Sequence, residues 1–165
     1  MERDDLERVW TWENDSAHWW MGATNLPISQ EAMKAFVAGN HDIYRDRQLR
    51  WMLDANTADG WTCVGAMDLY DFEPRHLRAG VGVHIDANHR QQGHGAAGLH
   101  LLSTYGKQHL GLTQLYAEVP ASHPASLALF QRAGFETTGV RKAWIRGPRG
   151  WEDVVTVQQF FDPAP

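Results

Sequence analysis

The sequence has little cysteine and no long hydrophobic run. Its 165 residues contain one cysteine, Cys63, so an internal disulfide framework is excluded and a small buried thiol is expected. No apolar run approaches the roughly 18 residues of a membrane span. Residues 1–5 are charged and lack the apolar core of a signal peptide. The sequence therefore predicts a cytoplasmic protein with no membrane partner.

Positive charge is also scarce, and common binding signatures are missing. The formal net charge is -5, which argues against a nucleic-acid partner and suits a cationic substrate. The chain has no nucleotide fingerprint, P-loop, zinc-protease motif or nucleophile elbow. His84, His89 and His94 are evenly spaced, but they fall on a predicted strand, turn and helix. We therefore predict no metal site.

The sequence does contain alternating helical and strand periodicities. Apolar residues make up 43% and charged residues 21%, which is typical of one globular domain over residues 1–165. Helical spacing and caps predict helices over residues 4–14 and after Ser29, Gly93 and His123. Alternation predicts strands near Leu49, over 61–70, 79–86, 114–119, 135–144 and 153–160. This order predicts a mixed α/β fold with one strand-helix-strand crossover.

Two groups of residues are unusual in number or position. Eight tryptophans are present, and four of them crowd residues 10–20. They can pack in the core, or they can form an aromatic wall on which a cation rests. Gly80 and Gly82 lie inside a predicted strand, which indicates a bulge or a close backbone contact.

A glycine-containing turn joins the third predicted strand to a helix. The segment runs Val83-His84-Ile85-Asp86-Ala87-Asn88-His89-Arg90-Gln91-Gln92-Gly93-His94-Gly95-Ala96. Glycine lets backbone N–H groups approach a ligand, and a helix N-terminus adds unpaired donors with partial positive charge. The turn therefore suits a pyrophosphate. Alone it is weak evidence, because many turns before helices contain glycine.

The spacing Arg90-x-x-Gly93-x-Gly95 resembles the acetyl-coenzyme A loop of the GNAT superfamily of acetyltransferases. Residues 118–135 resemble its second cofactor segment, in which a strand gives way to a helix that ends in Gly-Phe. Trp12-Glu13-Asn14-Asp15 resembles the first helix of the branch that acetylates ribosomal-protein N-termini and spermidine. The resemblance implies a central mixed, mostly antiparallel sheet with splayed central strands, flanked by helices.

The resemblance also implies transfer of an acetyl group from acetyl-coenzyme A to an amine, without a metal. The cofactor would enter between the strands that end at Ile85 and Val119, where backbone groups polarise the thioester carbonyl. Arg90 and Arg132 would bind phosphates. For Arg132, a solvated position on the surface is an equally supported interpretation. The implied cofactor-binding residues are Val83, Ile85, Arg90, Gln91, Gln92, Gly93, His94, Gly95, Ala96, His123, Ser126, Phe130 and Arg132.

Three positions depart from the family pattern. Many members have a tyrosine, which protonates the leaving thiolate, where this chain has Phe130. His123 replaces an asparagine that commonly bonds the pantetheine arm, and histidine can still donate. Relatives usually have a strand before the first helix. Few residues remain for that strand here, so the sheet can lack this edge strand.

The amine must lose a proton before it attacks, because an alkyl ammonium has a pKa of roughly 10. The candidate bases are Glu118, Asp68 and Asp71. Glu118 should share a strand face with Tyr116. Asp68 should lie on one face and Asp71 on the other, and either can bind a cationic acceptor instead of taking its proton.

Several alternatives remain open at this stage. The acceptor can be a polyamine, a protein or peptide N-terminus, or a small amino compound. Phe130 and His123 keep open a non-catalytic acyl-coenzyme A sensor or assembly module. A homodimer or a larger homo-oligomer is also open.

Overall fold

The computed structural model describes residues 1–21, 26–39, 41–58 and 60–161. Its α-helices are α1 (Leu6–Glu13), α2 (Gln30–Val37), α3 (Ile43–Asp46), α4 (His94–Gln108) and α5 (Pro124–Arg132). Its strands are β1 (Leu49–Thr57), β2 (Gly60–Glu73), β3 (Arg78–Ile85), β4 (Gln114–Pro120), β5 (Glu136–Gly147) and β6 (Gly150–Phe160). No helix in these residues is long and apolar enough to cross a membrane.

The six strands form one sheet in the order β1-β2-β3-β4-β6-β5. Every neighbouring pair is antiparallel except β3 and β4, which run parallel and are joined through α4. The predicted mixed α/β fold with one crossover is therefore confirmed. Within the described residues no strand precedes β1, which forms one edge of the sheet.

The parallel pair β3–β4 is incomplete. The two strands pair only where Arg78, Ala79 and Gly80 face Gln114, Leu115 and Tyr116. Beyond those residues β3 stays paired with β2, and β4 stays paired with β6. The outer neighbours therefore hold the two strands apart and confirm the predicted splay in the middle of the sheet.

Hydrophobic side chains cover the two faces of the sheet unequally. The main core joins inward residues of the strands to α4 and α5, with Leu69, Leu99 and Val157 fully buried. Val83 and Ile85 pack partly against this core. A smaller cluster of Val9, Met33 and Val37 joins α1 to α2, with Met52 of β1 against it. The opposite face therefore remains partly polar.

Most predicted element ends are confirmed. The Ser29 side chain accepts from Ala32 N and caps α2, and Pro124 opens α5. Gly134 follows α5 with φ +86°, where glycine is unstrained. Helix α3 was not predicted. It is one short turn, capped by the Asp42 side chain, and such a turn has no periodicity to detect.

The strand glycines Gly80 and Gly82 mark close approaches, as predicted. A Cβ atom on Gly80 would overlap the ring of Tyr70, its cross-strand partner. A Cβ atom on Gly82 would lie 3.2 Å from the Cβ of Asp68. Because Gly80 and Gly82 have no side chains, Tyr70 and Asp68 pack close to the backbone of β3.

We expect Gly80→Ala to lower the free energy of unfolding by roughly 1–3 kcal/mol, because the added methyl must displace the Tyr70 ring. Urea unfolding followed by circular dichroism measures the change. Gly139→Ala is the control, because nothing lies within 4 Å of its added Cβ atom. Equal stabilities of the two variants would contradict the proposed overlap.

Candidate active site

The turn after β3 leaves backbone donors free at the start of α4. Gly93 caps the helix with φ +86°, and nothing lies within 4 Å of a Cβ built on it. The first helical bond runs from Ala97 N to Gly93 O, so the N–H groups of His94, Gly95 and Ala96 have no helical acceptor. Together with the helix dipole, these donors fit an anionic group.

Side chains of the turn hold its shape. Arg90 donates from Nε to Ile85 O at 3.0 Å, which ties the turn to the end of β3. Gln92 Nε2 donates to Asn88 O at 3.1 Å. Gln91 has φ +61°, an uncommon value for a non-glycine residue that is typical of tight turns. The predicted anion turn is therefore present as a compact structure, with Gly93 open to its surroundings.

Helix α5 packs beside this turn. A Cβ on Gly95 would lie 3.1 Å from Leu129, so the glycine permits the close approach. At the start of α5, His123 Nδ1 accepts a hydrogen bond from Ser126 N at 3.1 Å. A neutral imidazole that accepts at Nδ1 carries its proton on Nε2, so His123 can donate as the commoner asparagine would.

The other predicted cofactor residues of α5 lie further along the helix. Phe130 is 3% exposed and packs edge-on against Phe135, with ring centroids 5.0 Å apart. Arg132 is exposed and ends the helix. Contact of these two residues with a cofactor stays a prediction.

A buried charge cluster lies on the face of the sheet that α1 covers. Arg50 of β1 donates from Nε and Nη2 to the two carboxylate oxygens of Asp68, at 2.7 and 3.2 Å. Its Nη1 donates to Glu13 Oε1 at 2.6 Å. Burial raises the pKa of Asp68, and Arg50 opposes that rise. Because an arginine stays protonated, the cluster keeps one positive charge against two carboxylates.

A cavity of about 130 Å³ adjoins this cluster. Trp12 and His84 form one wall, with ring centroids 4.5 Å apart. Glu13, Arg50 and Asp68 contribute the charged lining. His84 belongs to the stretch of β3 that pairs with β2 but not with β4, so the cavity lies next to the splay. This position brings an aromatic ring and carboxylates close to the proposed cofactor entrance.

Burial lowers the pKa of His84 to about 4. The nearby charges of His18, Arg90 and Arg50 act in the same direction, and Asp86 opposes them. His84 Nε2 is buried and has no hydrogen-bond partner in the described residues. His84 is therefore neutral at physiological pH.

The remaining predicted carboxylates line the same face. Glu118 contacts Arg141 Nη1 at 2.5 Å, and its side chain is 34% exposed. Asp71 lies at a β-bulge with φ +47°, where it accepts a long hydrogen bond of 3.4 Å from the Tyr116 hydroxyl. The prediction that Asp71 falls on the face opposite Asp68 is wrong, because Asp71 lies with Tyr70, which shares the face of Asp68. The bulge interrupts the alternation, and Tyr70 itself contacts Tyr116.

Two tyrosines on this face remain protonated. Burial raises the pKa of Tyr116 to about 12, with Asp71 and Glu118 adding to the rise. Burial also raises the pKa of Tyr70, helped by Tyr116 and Glu118. Both phenols are therefore hydrogen-bond donors near neutral pH.

The site contains several residues that the sequence argument did not assign a role. Arg50, Tyr70 and His84 come from three different strands, and α1 adds Glu13. The alternation of residues along the strands that carry Arg50 and Asp68 could be read from the sequence. The register that places the two side by side could not, because pairing depends on the turn between β1 and β2. Asp68 and Asp71 were predicted, and the structure brings both to one face.

Comparisons with known proteins agree with this geometry. A family model described as an acetyltransferase (GNAT) domain matches residues 1–136. An uncharacterised N-acetyltransferase of Bacillus subtilis, YoaA, is 23% identical over 142 residues, which are 86% of this chain and 79% of that protein.

Solved structures of spermidine N-acetyltransferase from Vibrio cholerae share the fold. The complex with CoA and spermine has a TM-score of 0.81 at 19% identity and covers 97% of this chain and 92% of the other. A dodecameric form in an intermediate state has a TM-score of 0.78 at 18% identity, covering 97% and 90%.

We expect the stability of the protein to fall as pH decreases from about 6.5, the unperturbed pKa of histidine, to about 4. In that window the unfolded chain binds a proton at His84 and the folded chain does not, so protonation favours unfolding. His84→Gln removes this contribution. Its melting temperature should therefore fall less between pH 7 and pH 5 than that of the wild type, measured by circular dichroism.

His100→Gln is the matched control, because His100 is exposed on α4. It should keep the pH dependence of the wild type. If His84→Gln and His100→Gln lose equal amounts of stability over this range, His84 does not have the lowered pKa.

Proposed function

The chain belongs to the GNAT family of acetyltransferases and transfers an acetyl group from acetyl-coenzyme A to an amine, and we propose that this amine is an aliphatic di- or polyamine. The observation that carries the proposal is the cavity beside the splay, where Trp12 faces a carboxylate-rich cluster. An alkyl ammonium is attracted both to an aromatic face and to carboxylates. The spermine complex of the Vibrio cholerae neighbour supports the same class of acceptor.

The residues around the splay fit acetyl-coenzyme A, which supplies the acetyl thioester. We propose that the free N–H groups at the start of α4 hold the pyrophosphate, with Gln91, Gln92 and Gly93 shaping the turn. The backbone of Val83 and Ile85, in the stretch of β3 that does not pair with β4, would bind the pantetheine arm and polarise the thioester carbonyl. Arg90, His123, Ser126, Phe130 and Arg132 complete the proposed set.

The acceptor would lie on the α1 side of the sheet. Gly82 has no side chain, so the Asp68 carboxylate lies close over β3 next to the opening. We propose that the reacting nitrogen binds there and attacks as the neutral amine. The second nitrogen, still charged, would enter the cavity between Trp12 and Glu13.

Two roles are considered for the carboxylates: taking the proton of the amine, or binding the cationic acceptor. Glu118, Asp68 and Asp71 were predicted as candidate bases, and that remains a prediction. The contacts that hold Glu118 to Arg141 and Asp68 to Arg50 favour the other role, which is to bind the cationic acceptor. We extend that role from Asp68 and Asp71 to Glu118.

The proposal includes a cytoplasmic location and a homo-oligomer. The single Cys63 suits a reducing compartment. Large apolar side chains of the β5–β6 hairpin are exposed, with Trp144 at 56% and Trp151 at 69%. Such a patch is typical of an interface, and a dodecamer occurs in the Vibrio cholerae neighbour.

Release of free coenzyme A thiol, measured with a panel of amines, tests the acceptor class. We expect 1,4-diaminobutane or spermidine to give a kcat/KM at least about tenfold above amino acids, aminoglycosides and basic peptides, which corresponds to about 1.4 kcal/mol of preferred binding. Butylamine is the matched control, because it lacks the second ammonium. Equal rates with butylamine and diaminobutane, or release with peptides alone, would exclude the proposed acceptor.

Glu118→Gln separates the two roles of that carboxylate. We expect the KM for the diamine to rise about fivefold with kcat nearly unchanged, since roughly 1 kcal/mol of attraction is lost. The affinity for acetyl-coenzyme A, measured by calorimetry, should stay the same. A large fall in kcat with an unchanged KM would instead identify Glu118 as the base.

A further inference from the structure

Arg50 lies between two cavities on the acceptor side of the sheet. One is the cavity of about 130 Å³ beside Trp12 and His84, which we call the inner cavity. The other is a groove of about 300 Å³ between α2, α3 and β1, which we call the outer groove. Arg50 lines both, and its side chain is only 14% exposed. An acceptor that extended from one to the other would have to pass the guanidinium.

Three hydrogen bonds hold Arg50 in this position. Its guanidinium bonds both oxygens of Asp68 and one oxygen of Glu13, at 2.6 to 3.2 Å. The planar group also lies 5.7 Å from the ring centroid of Phe36. A bidentate, partly stacked guanidinium is held more rigidly than a lysine ammonium would be. Arg50 therefore stays between the two cavities when a ligand enters the inner one.

The guanidinium reduces the charge available to an acceptor. The bidentate contact with Arg50 keeps Asp68 ionised against the effect of burial. Glu13 and Asp68 together then carry two negative charges, and Arg50 cancels one of them. Within the inner cavity, one negative charge therefore remains for a bound cation. The outer groove adds no net negative charge, because Arg45 and Asp46, which line it, are paired with each other at 2.7 Å.

We propose that Arg50 is a specificity-determining residue that restricts the acceptor to amines with one charged nitrogen besides the reacting one. A diamine meets this condition, because its second nitrogen supplies one ammonium for one negative charge. Spermidine and spermine retain two or three ammonium groups, which this cluster does not match. The inference rests on the proposed di- or polyamine acceptor and narrows it to diamines.

Arg50→Gln tests the charge argument. Without the guanidinium, Glu13 and Asp68 both face the acceptor, and the inner cavity joins the outer groove. We expect the kcat/KM for spermidine, divided by that for 1,4-diaminobutane, to rise at least about tenfold over the wild-type ratio. Arg149→Gln is the matched control, since it removes one positive charge from the exposed β5–β6 turn. It should leave the ratio unchanged.

A double variant keeps the test decisive, because Arg50→Gln alone leaves Asp68 buried without its partner and can unfold the chain. Arg50→Gln with Asp68→Asn replaces the ion pair by neutral groups of similar shape, and Glu13 supplies one negative charge. The ratio should return towards the wild-type value. Glu13→Gln leaves the cluster neutral, so the kcat/KM for the diamine should fall and the ratio should not rise.

The outcomes separate this inference from the proposed function. A wild type that acetylates diamines, with a ratio that no variant at Glu13, Arg50 or Asp68 alters, would overturn the role of Arg50 alone. A wild type that already prefers spermidine to the diamine would also overturn the role of Arg50 alone. A wild type that acetylates neither amine would overturn the proposed acceptor class, and the inference with it.

Discussion

The incomplete pairing of β3 with β4 is the constraint on which the site depends. Two neighbouring strands that part after three residue pairs leave backbone N–H and C=O groups without their usual partners, and such groups are unfavourable unless something binds them. Here the parting is not local fraying, because β2 and β6 hold the strands from outside. The open backbone is therefore a fixed feature, suited to a ligand that can pair with it.

The same sheet separates two kinds of chemistry. On one side, Val83 and Ile85 pack towards the hydrophobic core, and α4 presents free N–H groups at its start. On the other side lie the cluster around Arg50 and the rings of Trp12, Tyr70 and Tyr116. Groups that suit an anion and groups that suit a cation thus lie on different surfaces, which meet at the splay. The absence of side chains at Gly80 and Gly82 lets Tyr70 and Asp68 pack close to β3 on this side.

Electrostatics on the acceptor side depends on pairing more than on composition. The net charge of -5 suggested a cationic substrate, but the nearby carboxylates are mostly not free. Asp68 and Glu13 share Arg50, and Glu118 contacts Arg141. What an acceptor meets is the residual charge after these contacts.

The order of helices and strands, the turn from Arg90 to Gly95 and the glycines that permit close packing could be predicted from the sequence, because they follow from local periodicity and backbone conformation. The sequence also identified Asp68 and Asp71. Folding in three dimensions was needed to join Arg50 to Asp68 and Glu13, to place His84 against Trp12, and to bring Asp71 through a bulge to the face of Asp68. Those contacts join residues 18 to 72 positions apart in the chain or depend on one irregular backbone angle. Strand register and helix docking set them, and neither has a local signal in the sequence.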